Sequence, residues 1–108
     1  MNIFKKKIIK LVEWFKLSYK IYYVDDSPEI VDKRTIYVVG QNQNTWLLAF
    51  ECPCGCKTII QLNILEDTKP NWRYTIGRNK KINITPSIWR TTGCKSHFFI
   101  KRGKILWC

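Results

Sequence analysis

The chain has one histidine, His97, and eight acidic residues against nineteen basic ones in 108. It also lacks a long apolar run. Each scarcity removes a class of function. With one imidazole, an iron–sulfur centre that needs two histidines on one iron is excluded. Any serine or cysteine activated by imidazole must use that same residue. Neither a Gly-x-Ser-x-Gly elbow nor a His-Glu-x-x-His helix is present. Lys10, Glu13 and Lys16 interrupt the apolar residues near the start, and no small-residue cleavage site follows. The sequence therefore predicts neither a secretory signal nor a transmembrane span. No internal repeat or low-complexity segment suggests a solenoid or a linker.

What is present bounds the rest. A chain of 108 residues with a net charge of +11 is expected to form one domain with a modest core. The charge favours an anionic partner, although basic residues spread along the chain also serve as a solvated surface. Five cysteines without a signal peptide point to a reducing compartment and the cytoplasm.

Residues 4 to about 22 predict an amphipathic helix, because Phe4, Ile8, Leu11, Val12, Phe15, Tyr19 and Tyr22 recur at helical spacing. It is expected to pack on the sheet that follows; a basic helix of this kind also suits an anionic membrane or a partner's groove. Pro28 and its acidic neighbours end it. From Arg34 the pattern turns to short β-branched and aromatic runs: Thr35 to Val39, Thr45 to Phe50, Lys57 to Leu62, Trp72 to Ile76, Lys81 to Ile84, His97 to Lys101 and Lys104 to Trp107. The expected fold is mainly β (α+β), a small antiparallel sheet or open barrel of about seven short strands behind an N-terminal helix. The expected division is 1–24 for the helix and 25–108 for a zinc-binding β domain.

Cys52-Pro53-Cys54-Gly55-Cys56 and Gly93-Cys94-Lys95-Ser96-His97 carry the chemistry. Structural zinc takes four thiolate or imidazole ligands, usually as two pairs from two turns. Cys52 and Cys54 offer one pair, Cys94 and His97 the other, and Zn2+ is the expected cofactor. Cys56 can replace either thiol of the first turn, and Cys108 is a further candidate. Such a site would close a loop of roughly forty residues and stabilise a small domain. A catalytic role draws on the same residues. Cys56, if left off the metal, and Ser87 after Pro86 are candidate nucleophiles for His97; Ser96 is its neighbour in a strand and points to the other face. If His97 binds zinc, imidazole base catalysis is lost. Basic residues interleaved with Trp72, Tyr74, Trp89, Phe98 and Phe99 suit either single-stranded nucleic acid or an ordinary core face with a wet reverse.

With the cysteine motifs, Pro86-Ser87-Ile88, Cys94 to Ile100 and Gly103-Lys104-Ile105-Leu106-Trp107 in view, the chain resembles the domain-of-unknown-function family 6527 over roughly residues 34 to 108. That resemblance implies a small bacterial metal-binding protein encoded beside ubiquitin-like proteins and their activating and conjugating enzymes, in mobile or antiviral-defence gene clusters. Cys52, Cys54, Cys56, Cys94, Ser96 and His97 fall on the family's pattern; Cys108 departs from members that end in a small apolar residue. The function expected from these readings is a zinc-binding accessory protein that binds a protein partner in such a pathway. The alternatives are a hydrolase or peptidase that trims a ubiquitin-like protein or its conjugates, using His97 with a Cys or Ser, and a basic nucleic-acid-binding module.

Overall fold

The computed structural model describes residues 18–108. Strands form where β-branched and aromatic side chains cluster, since these pack well on a pleated surface. There are eight: β1 (Lys20–Val24), β2 (Thr35–Gln41), β3 (Asn44–Glu51), β4 (Ile59–Asn63), β5 (Arg73–Ile76), β6 (Ile82–Trp89), β7 (His97–Lys101) and β8 (Lys104–Trp107). They make two four-stranded sheets, ordered β1-β2-β3-β4 and β5-β6-β7-β8. The expectation of a mainly β chain holds. The single sheet or open barrel is corrected to two sheets, because β4 and β5 do not pair. The connection is tied to the end of β4 instead, the Trp72 N–H donating to the Asn63 carbonyl at 2.8 Å.

The expected helix over residues 4 to about 22 lies largely outside the described residues, and its end is corrected. Lys20–Val24 is a strand, paired in parallel with β2 from Lys20↔Thr35 to Val24↔Val39. Tyr19 and Tyr22 sit three apart, as on one helix face, yet they do different things. The Tyr19 ring is buried edge-on to Phe50 at 6.4 Å, and Tyr22 stacks on Tyr37 at 6.1 Å. The Tyr19 N–H donates to the Gly103 carbonyl at 2.7 Å, and that of Lys20 to Arg34 at 2.8 Å. These extended-chain partners, together with Ile21 against the core, outweigh the helical period. All other strand pairs are antiparallel.

Alternation along the strands builds the core. Ile36 and Val38, Leu48 and Phe50, and Ile60 and Leu62 from the first sheet meet Ile82, Ile84, Ile88, Phe98 and Ile100 from the second. Phe50 and Phe98 join the two sheets edge to face at 6.3 Å. Removing either ring would leave a cavity costing about 3–5 kcal/mol.

Two hairpins have two-residue turns with both central residues at positive φ: Asn42 and Gln43 between β2 and β3, Arg102 and Gly103 between β7 and β8. This geometry matches the twist of the paired strands. Beside the first hairpin, Gly40 lies at a register shift, and a Cβ there would run into the Asn44 carbonyl and come within 2.6 Å of the Thr45 Cα. Both obstacles are backbone and cannot swing aside. Gly40→Ala should therefore destabilise the domain by about 1–3 kcal/mol, read from the midpoint of urea unfolding. An unchanged midpoint would show that the hairpin relaxes freely.

Among the described residues no helix is long and apolar enough to cross a membrane.

Candidate active site and metal centre

The knuckle begins where β3 ends. The Cys52 N–H donates to the Thr58 carbonyl at 2.8 Å, so the chain reverses between them, helped by Gly55 at φ 92°. Cys52 is buried just past the end of β3, while Cys54 and Cys56 are exposed. The facing turn, between β6 and β7, is closed by the Arg90 N–H on the Ser96 carbonyl at 2.8 Å and carries Cys94.

The sulfurs of Cys52, Cys54, Cys56 and Cys94 all lie within 4.8 Å of one another. A tetrahedral Zn2+ with Zn–S bonds of about 2.3 Å holds its sulfurs about 3.8 Å apart. Cys52 Sγ is 3.4 Å from Cys54 Sγ and 3.7 Å from Cys94 Sγ. The donor set and its spacing fit one soft divalent ion, and the four cysteines can hold it.

The surroundings of Cys94 and Cys56 favour thiolate. The Ser96 hydroxyl, 3.2 Å from Cys94 Sγ, and the Ser96 N–H bring the Cys94 thiol down to about 6. The Thr58 hydroxyl and N–H lower Cys56. Burial pushes Cys52 the other way, to about 11, a penalty that a bound cation would reverse. The Arg90 guanidinium stands 3.7 Å from both Cys56 and Cys94 Sγ, an outer-shell donor that offsets the charge of clustered thiolates.

His97 is not among these sulfurs. It opens β7 opposite Trp89 on β6, and Ser96, one residue earlier, turns inward to Cys52 and Cys94. Successive strand residues face opposite ways, so His97 looks out from the other side of the ribbon. There its Nε2 lies 2.8 Å from the Ser87 hydroxyl. The indole of Trp89 stacks on the imidazole at 5.3 Å and 20°.

Ser87 reaches that position through an irregularity in β6. Ile84 pairs with Ile100 and Ile88 with Phe98, so four steps on β6 oppose two on β7. Bulges of this kind re-aim side chains and recur beside active sites. Pro86 sits in the bulge, where no ladder hydrogen bond is required of it. The backbone of Ser87 is held from the other side, since the Trp72 indole N–H donates to the Ser87 carbonyl at 3.3 Å.

Of the residues singled out in the sequence, Cys52, Cys54 and Cys94 are thus gathered with Cys56, and His97 is gathered with Ser87. Cys108 joins neither group through its thiol; its N–H donates to the His97 carbonyl at 3.0 Å. Arg90, Trp72 and the metal-facing role of Ser96 were not legible beforehand. Only their partners identify them.

A hydroxyl on an imidazole, one strand face away from four clustered thiols, calls for comparison with known proteins. The model of the family of bacterial ubiquitination-like system serine proteases (BubE) matches residues 23–108. The chain belongs to this family. The match runs through both sheets, the four clustered cysteines and the Ser87–His97 pair. The resemblance noted in the sequence led to ubiquitin-like systems under a different family name, and membership of BubE places the chain in a bacterial ubiquitination-like system. Comparisons with the curated proteins and with the solved structures gave no match.

Proposed function

We propose that the protein is a serine peptidase of a ubiquitin-like conjugation system, acting on a ubiquitin-like protein or its conjugates. Ser87 is the nucleophile and His97 its base. The observation that carries this reading is the 2.8 Å contact between Ser87 Oγ and His97 Nε2, which brings together the two groups that acyl transfer needs. The family's description as serine proteases supports it.

With its proton on Nδ1, the imidazole accepts the Ser87 hydroxyl proton at Nε2 as Oγ attacks the scissile carbonyl. The proton then passes to the leaving amine or alcohol, and the acyl group stays on Ser87 as an ester. Water, deprotonated by the same nitrogen, releases the acid and restores the hydroxyl. Trp89 fixes the ring plane by stacking. Trp72 is a positioning residue, holding the carbonyl of the nucleophile rather than touching the reacting atoms.

Zn2+ in Cys52, Cys54, Cys56 and Cys94 is structural in this account, because four thiolates leave no coordination position for water. Bound there, it would brace the turn that ends in His97. Reduced thiols suit the cytoplasm. Zinc held instead by Cys52, Cys54, Cys94 and His97 would require His97 to leave Ser87 and cross the ribbon, so the four-cysteine set is preferred.

The test is a fluorophosphonate probe, followed by incubation with a ubiquitin-like protein bearing a C-terminal extension. Labelling should map to Ser87, and the extension should be cut off. Labelling at a cysteine, or none at all, would return the protein to the class of binding modules.

Trp72→Phe provides a finer check. It keeps the ring and removes the N–H, at a net cost of about 1 kcal/mol. The expected result is a several-fold fall in kcat with KM and zinc content unchanged. An equal loss in melting temperature and no loss in kcat would make Trp72 a packing residue only.

A further inference from the structure

A concavity of about 370 Å³ opens between β8, the knuckle and the approach to β2. Lys33 and Arg34 line it from the approach to β2, Lys57 from the end of the knuckle, and Lys104 from β8. Three separate segments thus bring four cations to one place, with Glu51 as the single carboxylate among the lining residues. Its remaining walls are apolar or aromatic, notably Tyr19, Ile105 and Trp107. Ligand sites are typically concavities of this size, apolar with a few convergent polar groups.

The concavity is joined to the catalytic pair through the hairpin. Trp107, half exposed at its rim, meets the Phe98 ring at 5.6 Å. Phe98 follows His97 directly on β7, and the Cys108 N–H beyond Trp107 donates to the His97 carbonyl at 3.0 Å. The knuckle residues Cys52, Pro53 and Gly55 also line it.

We propose that this concavity is an exosite for an acidic segment of the protein substrate, carboxylates on the four cations and aliphatic or aromatic side chains against Ile105 and Trp107. The proposal rests on the peptidase reading for its role, not for its chemistry. The occupant is a protein because the chain belongs to a ubiquitination-like system, whose partners are proteins. It is acidic because the lining charge is four positive to one negative, on a chain of net charge +11. A nucleic-acid backbone would need an open groove along which successive phosphates can track. This concavity is local and partly apolar.

The test uses the full-length zinc-loaded protein and a fluorescein-labelled peptide alternating glutamate and leucine. Binding measured by anisotropy should weaken several-fold between low and physiological salt. It should fall at least tenfold in Lys33→Glu/Arg34→Glu and, independently, in Lys57→Glu, with circular dichroism and zinc content unchanged. Fluorophosphonate labelling of Ser87 and hydrolysis of a small ester should be unaffected in these variants, while KM for a protein substrate rises. No binding at low salt, equal binding by the variants, or tighter binding of a single-stranded oligonucleotide through the same residues would each overturn the exosite. Absence of labelling and ester hydrolysis in the wild type would instead sink the peptidase reading, and the peptide-binding result would stand on its own.

Discussion

Ser87→Ala should remove hydrolysis almost entirely, lowering kcat/KM by on the order of 10^6-fold, the scale on which nucleophile and base fail when either is lost. His97→Ala should fall to a similar floor. The double variant should lie no lower than the worse single one, because two groups that act as a unit do not add. Both residues face outward from β6 and β7, and neither side chain fills the core formed by Ile84, Ile88, Phe98 and Ile100. Melting temperature and zinc content should therefore hold in Ser87→Ala. His97→Ala forfeits the stacking with Trp89, about 1 kcal/mol, a shift of a few degrees. Turnover that survives in Ser87→Ala with the fold intact would remove the serine mechanism.

Chelation should be the more destructive treatment. Cys52 and Cys94 are 42 residues apart in sequence. A cross-link over a loop of that length constrains the unfolded chain by about 4 kcal/mol on the chain-entropy scale, before any metal–ligand bond is counted. Cys94→Ser, or treatment with a strong chelator, should cost several kcal/mol and unfold much of the domain at ambient temperature. Activity should disappear with the metal, although the ion touches no substrate, because the turn carrying Cys94 and Ser96 delivers His97. A metal-free protein that stays folded and active would end the structural account.

The pH dependence of that loss has a defined sign. Cys94 in the folded protein has a lower value than a free thiol, about 6. Its contribution is present above the free-thiol value and is lost as pH falls through about 6. Cys52 runs oppositely. Its value of about 11 means that, without metal, folding favours the protonated thiol, a contribution present below the free-thiol value and lost as pH rises through about 11. Zinc binding near pH 7.5 should then release a proton from Cys52 and almost none from Cys94. Calorimetry in buffers of different ionisation enthalpy counts those protons. A count of four, one from every cysteine, would show that Ser96 does not lower Cys94.

Particular residues show why the sequence revealed some of this and hid the rest. Three thiols in five residues and a separate Cys94 are visible in one dimension, because each turn holds its ligands locally. The hairpin turns at Gln41 to Asn44 and at Arg102-Gly103 are visible for the same reason. The Ser87–His97 pair is visible only as one candidate among several. It depends on a bulge that no local pattern announces, in a segment where Pro86 reads as the end of a strand. The three-residue spacing of His97 from Cys94 is that of a zinc turn and points it towards the metal. The strand begins at His97, however, and the side-chain alternation that follows gives the inward place to Ser96. Lys20–Val24 was hidden differently, since helical spacing upstream ran on into residues whose composition also suits a strand.

The two-faced ribbon of β6 and β7 makes sequence parity matter more here than residue identity. Arg90 and Ser96 look toward the sulfurs, and their neighbours Trp89 and His97 look toward the solvent side where Ser87 lies. A one-residue slip of β7 along β6 would exchange the faces, sending imidazole toward the thiolates and leaving Ser87 without its base. Phe98 and Ile100, two strand steps apart and fully buried, hold β7 against that slip. The hydrophobic core therefore decides which side of the ribbon the imidazole serves, whatever the length of the turn before it.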